Sequence, residues 1–550
     1  MQTVLQNDFM LSEIMQFLEL DRSAGYAAAL TCRAFRNPAQ NVLWRHLATV
    51  FPLLKLLSNL KPRKEADSND IVWFLEDQIT SQDVERLKVF GTRVRSISSK
   101  WFRKEIPSQE QIDDSVFVAV ASALQSHSLV PNLRSLNMLL GRKKGCHPSA
   151  VLQLLYSPYI QDIYLRSGDG PNLTLESFLP ADDIAVYLKV LSRLHARSLR
   201  TLDLYDFPSE LNVLESIPFL QGLSTLRLAN QEQVVLEQSA ITALAQLPHL
   251  DSLKLEVHHI IWNGSSRDIV PFNTLIRLEV SCQFMDVVEL FSRFKFPSLQ
   301  KLQHQLILRQ QPHAHLYPWD RYFNAVGSST ASPFCDLSVE RWLRGQEERR
   351  RWKEFRMNYE GVVFDYIKQS LLTLKHRLRR LWVSFPLVSS LSIENLEEIA
   401  SMWPNMQELS IRAVSPVILN TSSLRLIALK FPHLQALFLD IDCTLIASPR
   451  KGSSHRLHSL FLQLSNWGGT EMEVHELVML VDSLFPHLMN LRNMDAPILE
   501  DILDEERARY QSIRRLERHR LGVYEDGDNI KRFLSVDVDS GDDSDAMEVE

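Results

Sequence analysis

The sequence has few cysteines, no long apolar run and no targeting segment. Five cysteines are scattered through 550 residues, and no two stand close enough to suggest a metal knuckle or a local disulfide. No run of about 18 apolar residues, the length that predicts a membrane helix, is present. The first ten residues contain neither a basic segment nor an apolar run. We therefore expect reduced thiols, no secretory signal and no membrane partner, in a protein of the cytoplasm or the nucleus.

A strong charge of one sign and the common catalytic signatures are missing too. Sixty basic and 67 acidic residues leave a formal net charge of −7, which does not call for a nucleic-acid partner. The phosphate-binding glycine loops, the G-x-S-x-G elbow and the H-E-x-x-H motif do not occur. The adjacent pairs Cys146-His147 and His258-His259 lack further ligands at metal-binding spacing. We expect no enzyme, no cofactor and no metal; an unrecognised enzyme, with titratable residues converging on a pocket, is an alternative.

The first sixty residues predict three short amphipathic helices. The predicted helices span about 9–18, about 24–35, and the residues from 37 onward. Asp8 is placed to cap the first helix, and Asn37 to cap the third with Pro38 in its first turn. A unit this small buries little surface by itself. Its remaining apolar side chains therefore favour docking onto another helical surface.

These residues resemble an F-box, in the form found in large families of mushroom-type fungal proteins. The landmarks of the resemblance follow one another in order: Glu13-Ile14 with Phe17-Leu18, Leu30-x-Cys32-Arg33-Ala34-Phe35, Asn37-Pro38-Ala39, Leu43-Trp44-Arg45-x-Leu47 and Phe51-Pro52-Leu53-Leu54. The family usually opens with a Leu/Val-Pro-x-Glu-like element that contacts the adaptor. Here Asn7-Asp8-Phe9 stands in that place, without a proline.

The resemblance implies a substrate-recognition subunit of a Skp–cullin–F-box ubiquitin ligase. Its partners would be a Skp-type adaptor, a cullin scaffold and an unknown protein target. The residues expected to build the F-box core or the adaptor contact are Met10, Leu11, Ile14, Phe17, Leu18, Leu30, Phe35 and Trp44. Two alternatives stay open: a three-helix cap that only shields the first repeat, and a protein-interaction scaffold without a ubiquitin role.

A short motif, L-x-x-L-x-L or a close variant, recurs between about 116 and 500. Its first position is occupied by Leu199, Leu223, Leu250, Leu275 and Leu299, at steps of 24, 27, 25 and 24 residues, and again from Leu378 to Leu488 at steps of 28, 28, 23 and 31. These steps lie on or near the leucine-rich-repeat period. Apolar residues at helical spacing lie between the motifs. We expect an α/β fold, namely an irregular leucine-rich-repeat solenoid with a parallel sheet on one side; a plain α/β domain with chance leucines is the alternative.

Outward-facing positions of the motif are candidates for target contact. The residues flanking the last leucines point away from the core. They include Arg227, Lys254, Arg277, Ser410 and Phe438. A cluster of aromatic and arginine side chains would distinguish a binding site from an ordinary solvated surface.

Five segments follow from these patterns. The F-box-like domain covers 1–60, and a polar linker with an entry helix from about Asp83 covers 61–115. The solenoid covers 116–500, with an insertion at about 303–375 whose first part, 303–338, has the composition of a loop. A charged capping helix is expected at 501–524. Acidic residues dominate 525–550, which we expect to be a disordered tail.

Overall fold

The computed structural model describes residues 7–493, with gaps at 20, 65–70, 99–109, 126, 141–147, 168–180, 194–196, 206–215, 230–234, 264–268, 308–317, 332, 342–360, 414–418, 420, 443–454 and 466–470. The capping helix predicted for 501–524 and the tail predicted for 525–550 lie outside these residues. Within them, no helix combines the length and the apolar character needed to cross a lipid bilayer.

Three helices open the described chain. They are α1 (Asp8–Gln16), α2 (Arg22–Thr31) and α3 (Arg33–Arg45), and we call them the N-terminal module. Helix α3 packs against both of the others. The module has a small core of its own, formed by Met15, Ala39 and Val42, with Leu18, Ala28, Ala29 and Phe35 packed against it. A core of this size contributes little stability, so the contacts that attach the module to the rest of the chain matter for its folding.

Helix boundaries in the module differ from those predicted. Asn7 rather than Asp8 caps α1, because its Oδ1 accepts hydrogen bonds from two backbone N–H groups of the first turn, at 3.1 and 3.2 Å. The third helix begins at Arg33, so Pro38 lies inside it instead of in its first turn. Phe35 packs on the module core. This tertiary contact stabilises a turn that the following proline disfavours.

A small mixed sheet forms where a linker is predicted. The elements of this region are α4 (Phe51–Leu54), β2 (Leu60–Lys64), β3 (Ile71–Leu75), α5 (Ser81–Gly91) and β5 (Glu110–Ile112). Strand β2, at the start of the region predicted as a polar linker, pairs antiparallel with β3, and β5 pairs parallel with β3. Side chains of β2 after Leu60 are exposed, so backbone pairing with the apolar strand β3 makes this segment a strand. Helix α5 is the predicted entry helix, and a capping box between Thr80 and Asp83 begins it.

The rest of the described chain alternates between strands and helices. The strands of the main sheet are β1 (His46–Leu47), β4 (Ser96–Ser98), β6 (Ser135–Leu140), β7 (Asp162–Ser167), β8 (Thr201–Tyr205), β9 (Thr225–Ala229), β11 (Ser252–Glu256), β14 (Arg277–Cys282), β16 (Lys301–Leu306), β17 (Asp336–Arg341), β18 (Arg380–Val388), β19 (Glu408–Ala413), β20 (Ala436–Asp442), β21 (Ser459–Ser465) and β22 (Asn490–Asn493). The helices are α6 (Asp114–Ala123), α7 (Pro148–Leu154), α8 (Ala181–Arg193), α9 (Gln238–Ala245), α10 (Phe284–Arg293), α11 (Trp319–Ser329), α12 (Phe364–Leu371), α13 (Ile393–Met402), α14 (Thr421–Lys430) and α15 (Glu471–Leu484). Two further pairs of short strands, β10 (Val235–Glu237) with β12 (His259–Ile261) and β13 (Val270–Pro271) with β15 (Phe294–Lys295), form separate sheets.

Within the described ranges, the main sheet has fifteen strands, all paired in parallel and in chain order. Its register aligns the central leucines of the motif, so that Leu226 lies opposite Leu202 on one side and opposite Leu253 on the other. These leucines belong to one continuous core that runs from Leu47 to Leu488. Neither strands nor helices could bury their apolar faces alone, so stacking of units stabilises the whole array. The predicted α/β fold, a leucine-rich-repeat-like solenoid with a parallel sheet on one side, is confirmed.

Main-chain hydrogen bonds join successive units just before each strand. The carbonyl oxygen of Ser224 accepts from the N–H of Asp251 at 2.9 Å and of Ser252 at 3.0 Å. The carbonyl oxygen of Asp251 accepts in turn from Ile276 at 2.8 Å and Arg277 at 2.9 Å. The same pattern repeats from Arg95 to His458, and we call it the carbonyl ladder. It keeps the units in register although the asparagine common in such repeats is not in place.

A helix and a strand occupy much of 303–338, the segment predicted to be a loop. Helix α11 buries Trp319, Tyr322, Phe323 and Val326, which recur at helical spacing. Their burial stabilises the helix in spite of the polar residues around it. Strand β17 pairs with β16 and β18 and carries the repeat motif with Phe334 in the first position. Where it is described, the predicted insertion is therefore a further unit of the solenoid; 308–317 and 342–360 lie outside the described residues.

Candidate functional site

Helix α1 has two apolar faces, and only one of them is buried. Leu11 and Met15 are 1% and 3% exposed, and Met15 belongs to the module core. Met10, Ile14 and the C-cap residue Phe17 lie about 100° away around the helix axis and are 44%, 47% and 89% exposed. We call these three side chains the docking face. A short amphipathic helix normally hides its apolar stripe, so an exposed second stripe indicates a contact surface.

Exposed apolar side chains concentrate in the N-terminal module. Of nineteen large apolar side chains exposed among the described residues, six lie before residue 31. Besides the docking face they are Phe9 on α1, and Tyr26 and Leu30 one turn apart on α2. The other thirteen are scattered between Val89 and Met489. The module is therefore the part of the described chain whose surface most resembles an unfilled interface.

The eight residues that the F-box resemblance singles out fall into two groups. Met10, Ile14, Phe17 and Leu30 are exposed. Leu11, Leu18, Phe35 and Trp44 are buried or half-buried: Leu18 and Phe35 pack on the module core, and Trp44 packs on the core of the solenoid. The exposed group is available to a partner. The buried group holds the module together or attaches the module to the solenoid.

The module is attached to the solenoid through α3. The Trp44 ring packs against Phe90 of α5, with 4.7 Å between ring centroids. Arg93 Nη1 donates a hydrogen bond to Gln40 Oε1 at 3.0 Å. Strand β1 follows α3 directly and pairs with β4 as the first rung of the main sheet. These contacts fix the direction in which the docking face points relative to the solenoid.

Outward-facing side chains of the middle strands form a charged network. Arg227 Nη1 lies 3.8 Å from Asp203 Oδ2 on the neighbouring strand. Lys254 Nζ lies 3.4 Å from Glu256 Oε1 and also contacts the Glu279 carboxylate. Two predicted contact residues, Arg227 and Lys254, are thus already paired with carboxylates. They therefore give this face a pattern of paired charges that a partner can complement, and they are not unpaired hydrogen-bond donors.

A second charged network lies farther along the sheet. Arg380 Nη1 lies 3.0 Å from Asp336 Oδ2, and the same guanidinium contacts Glu408. Lys301 Nζ lies 3.9 Å from Asp336. Burial raises the pKa of Asp336, even though both cations lie beside it. Arg277, another predicted contact residue, is exposed on β14, the strand that also carries Glu279 of the first network.

An aromatic triad lies on the outward face of the last strands. The Phe438 ring is stacked on Phe461 at 6.1 Å and lies 6.2 Å from Trp382. The intervening strand β19 carries the small Ser410, which is 1% exposed and donates a hydrogen bond to the Val383 carbonyl at 3.0 Å. A small side chain on β19 lets Trp382 and Phe438 meet across it. The three rings form the kind of cluster that marks hot spots of protein interfaces.

Sequence reasoning found one member of the triad and missed two. Phe438 and Ser410 are among the predicted contact residues, whereas Trp382 and Phe461 are not. Both occupy the same motif position as Phe438, between the second and third apolar residues of β18 and β21. The signal was present in the sequence. Recognising the triad required the strand register, which places equivalent positions of neighbouring strands in one row.

Buried titratable groups are present, but they are enclosed in the core. His304 is 0% exposed, and burial lowers its pKa to about 4. Burial also raises the pKa of the Cys282 thiol well above its ordinary value. Among the described residues, no group of three or more His, Cys, Asp or Glu side chains could hold a metal ion. His304 and Cys282 are both 0% exposed and are therefore closed off from solvent.

Comparison with known proteins finds similarity among solved structures. No protein-family model and no curated protein matches the sequence. The structure is similar to the leucine-rich-repeat-containing protein LegL7 from Legionella pneumophila, at 13% identity over 68% of this chain and 98% of that one, with a TM-score of 0.31. An internalin from Listeria monocytogenes aligns at 12% identity over 78% and 92%, with a TM-score of 0.31. A Bacteroides fragilis protein aligns at 14% identity over 62% and 67%, with a TM-score of 0.23. The fold assignment rests on the strand order and register described above: the chain is a leucine-rich-repeat-like solenoid with a three-helix module at its start.

Proposed function

We propose that the protein is a substrate-recruiting subunit of a Skp–cullin–F-box ubiquitin ligase. In this proposal the N-terminal module binds the Skp-type adaptor, and the solenoid binds a protein target. The observation that carries the proposal is the docking face, an apolar stripe exposed on a module whose core is already filled by other side chains. The F-box resemblance of the same residues supplies the identity of the partner. The protein would act in the cytoplasm or the nucleus.

Burial of the docking face can supply adaptor affinity. A large apolar side chain contributes about 1.5–3 kcal/mol when it is fully buried. Ile14 is 47% exposed and Phe17 is 89% exposed. Covering both would contribute about 3 kcal/mol, or roughly a hundredfold in affinity. Met10 and the apolar residues of α2 would add to this contribution.

The attachment of the module explains how binding at both ends would serve ubiquitin transfer. A recruiting subunit forms and breaks no bond itself. It raises the concentration of target lysines near a charged ubiquitin-conjugating enzyme. That mechanism needs a defined distance between adaptor and target. The Trp44 to Phe90 contact and the pairing of β1 with β4 support a fixed distance.

The aromatic triad is the part of the solenoid that we propose for target contact. Aromatic side chains contribute much of the binding energy of protein interfaces. Trp382 and Phe461 are half-buried and therefore still have surface to lose on binding, while Phe438 is buried between them. The charged networks on neighbouring strands would add selectivity, because paired charges disfavour a partner that cannot replace their interactions.

Co-purification of the adaptor and the cullin tests the proposal. The full-length tagged protein is compared with Ile14→Asp/Phe17→Ala, which changes exposed side chains only. The matched control is Val118→Asp, an apolar residue on α6 that is 61% exposed. We expect both partners to co-purify with the wild type and the control and to be lost with the docking-face variant. Equal recovery with all three proteins would refute the assignment of the docking face.

One observation favours a different function, a protein-interaction scaffold without a ubiquitin role. Asn7-Asp8-Phe9 stands where the F-box family has a proline-containing element, and Asn7 serves as the cap of α1. Recovery of the adaptor without the cullin would support this scaffold and contradict the ligase.

A further inference from the structure

A cleft of about 560 Å³ lies where the N-terminal module meets the solenoid. Helix α1 contributes Gln16, helix α3 contributes Asn41 and Arg45, and the turn after α5 contributes Arg93 and Arg95. The cleft therefore joins residues that are about fifty positions apart in sequence. Its volume lies within the range of about 300–1,000 Å³ that is usual for small-ligand sites.

The cleft is basic. Three of its lining side chains are arginines, and none of its lining residues, all of which are described, is acidic. Arg93 donates to the side-chain oxygens of Gln40 at 3.0 Å and Asn37 at 3.4 Å. Arg95 Nη1 donates to the Thr92 carbonyl at 2.7 Å. Both guanidinium groups are thus held in place by neutral oxygens, which leaves their charges unbalanced.

Arg45, the third arginine of the cleft, has a carboxylate partner among the described residues. Glu19 Oε1 is 3.7 Å from Arg45 Nε and also contacts His46. Burial, and then the charges of Arg134 and Arg45, lower the pKa of Arg95. Burial alone lowers the pKa of Arg93. A cluster of like charges that is partly removed from water is unfavourable unless an anion completes it.

We propose that this arginine cleft binds a small, multiply phosphorylated anion. The planar guanidinium fork matches phosphate oxygens in a bidentate geometry, and three arginines suit an anion with two or more phosphate groups. The amides of Asn41 and Asn132 also line the cleft and provide neutral polar groups beside the charges. An arginine cluster in a cleft of this size suits a compact anion and not the extended backbone of a nucleic acid.

Such an anion would bridge the module and the solenoid. It would contact Arg45 on α3 together with Arg93 and Arg95 beyond α5. Because the bridge exists only in the folded protein, binding would raise the unfolding temperature as the concentration of free ligand rises. It would also restrict motion between the docking face and the sheet. This inference does not depend on the ubiquitin-ligase proposal.

Titration of the full-length protein with inorganic pyrophosphate tests the inference. Binding is measured by calorimetry and by thermal unfolding at constant ionic strength, with sodium chloride as the reference. The variant is Arg93→Gln/Arg95→Gln. The matched control is Arg193→Gln/Arg321→Gln, which removes the same charge from exposed positions on α8 and α11.

We expect saturable binding and a higher unfolding temperature for the wild type and the control, with at least tenfold weaker binding for the cleft variant. If the double variant fails to fold, Arg95→Gln alone keeps the test, because this change relieves repulsion from Arg134 and Arg45. Absence of saturable pyrophosphate binding, or equal binding by cleft and control variants, would overturn the proposal. Binding of a phosphorylated peptide but not of pyrophosphate would overturn it as well.

Discussion

Replacement of His304 should make the protein less sensitive to acid. His304 is 0% exposed and stacks on Tyr322, with ring centroids 5.7 Å apart. Its Nε2 faces the Cys282 carbonyl at 3.4 Å, and its Nδ1 has no hydrogen-bond partner in the described part of the chain. Protonation would place a charge in this apolar site. Burial accordingly lowers the pKa of His304 from 6.5 to about 4.

The sign follows from the order of these two pKa values. The unfolded chain takes up the proton near pH 6.5, whereas the folded chain takes it up only near pH 4. His304 thus contributes stability above pH 6.5 that is lost as the pH falls toward 4. Between pH 7 and pH 5 the loss from this residue is about 2 kcal/mol. Other titrating groups affect the wild type and the variant alike.

The variant His304→Phe keeps an aromatic ring beside Tyr322 and removes the titrating group. The free energy of unfolding is measured in urea by circular dichroism at pH 7 and at pH 5, for both proteins. We expect the wild type to lose about 2 kcal/mol more than the variant between the two values. A difference below about 0.5 kcal/mol would refute the assignment of a buried, neutral histidine.

Three further predictions concern the core, a close approach and the aromatic triad. Trp319→Ala should destabilise the protein by about 3–5 kcal/mol in urea unfolding, because it empties the buried face of α11; a change below about 1 kcal/mol would contradict that burial. Gly91→Ala should cost about 1–3 kcal/mol, since its Cβ would lie 1.9 Å from the Leu129 carbonyl oxygen. Gly25→Ala, which meets only the flexible Leu43 side chain at 3.2 Å, is the control and should cost less. Trp382→Ala should weaken target binding by about 1–3 kcal/mol in quantitative pull-down, with cullin recovery unchanged; an equal loss with Val118→Ala would exclude the triad.

Leucine spacing was enough to predict the solenoid, because the spacing reflects the geometry of stacking. Each motif places its second apolar residue in one buried row, as Leu226 and Leu253 show. The unit at Phe334 was not recognised as a repeat, because phenylalanine and not leucine occupies the first position of its motif. Helix α11 was not predicted, because the polar composition of 303–338 favours a loop. The helical spacing of Trp319 and its buried neighbours indicates the helix. The helical spacing is the better guide there, because burial of the apolar side chains stabilises the helix by more than the surrounding polar residues destabilise it.

The candidate surfaces were less accessible to sequence reasoning than the fold. Which apolar residues of α1 face outward depends on how α3 packs against it. The residue types of Met10 and Leu11 therefore do not show that Met10 is exposed and Leu11 is buried. The arginine cleft brings Arg45 close to Arg95, although about fifty residues separate them in sequence. No local sequence pattern reveals this proximity. The aromatic triad required knowledge of which strands are neighbours. In each case a tertiary contact between distant segments creates the feature.

The carbonyl ladder has a consequence for how this protein can vary. In the bonds that stack one unit on the next, a peptide N–H donates to a peptide carbonyl oxygen, and the outward side chains take no part. Residues on the open face of the sheet can therefore be exchanged one by one while the architecture beneath them persists. A lineage of such chains could acquire new targets through surface substitutions alone, without rebuilding its framework.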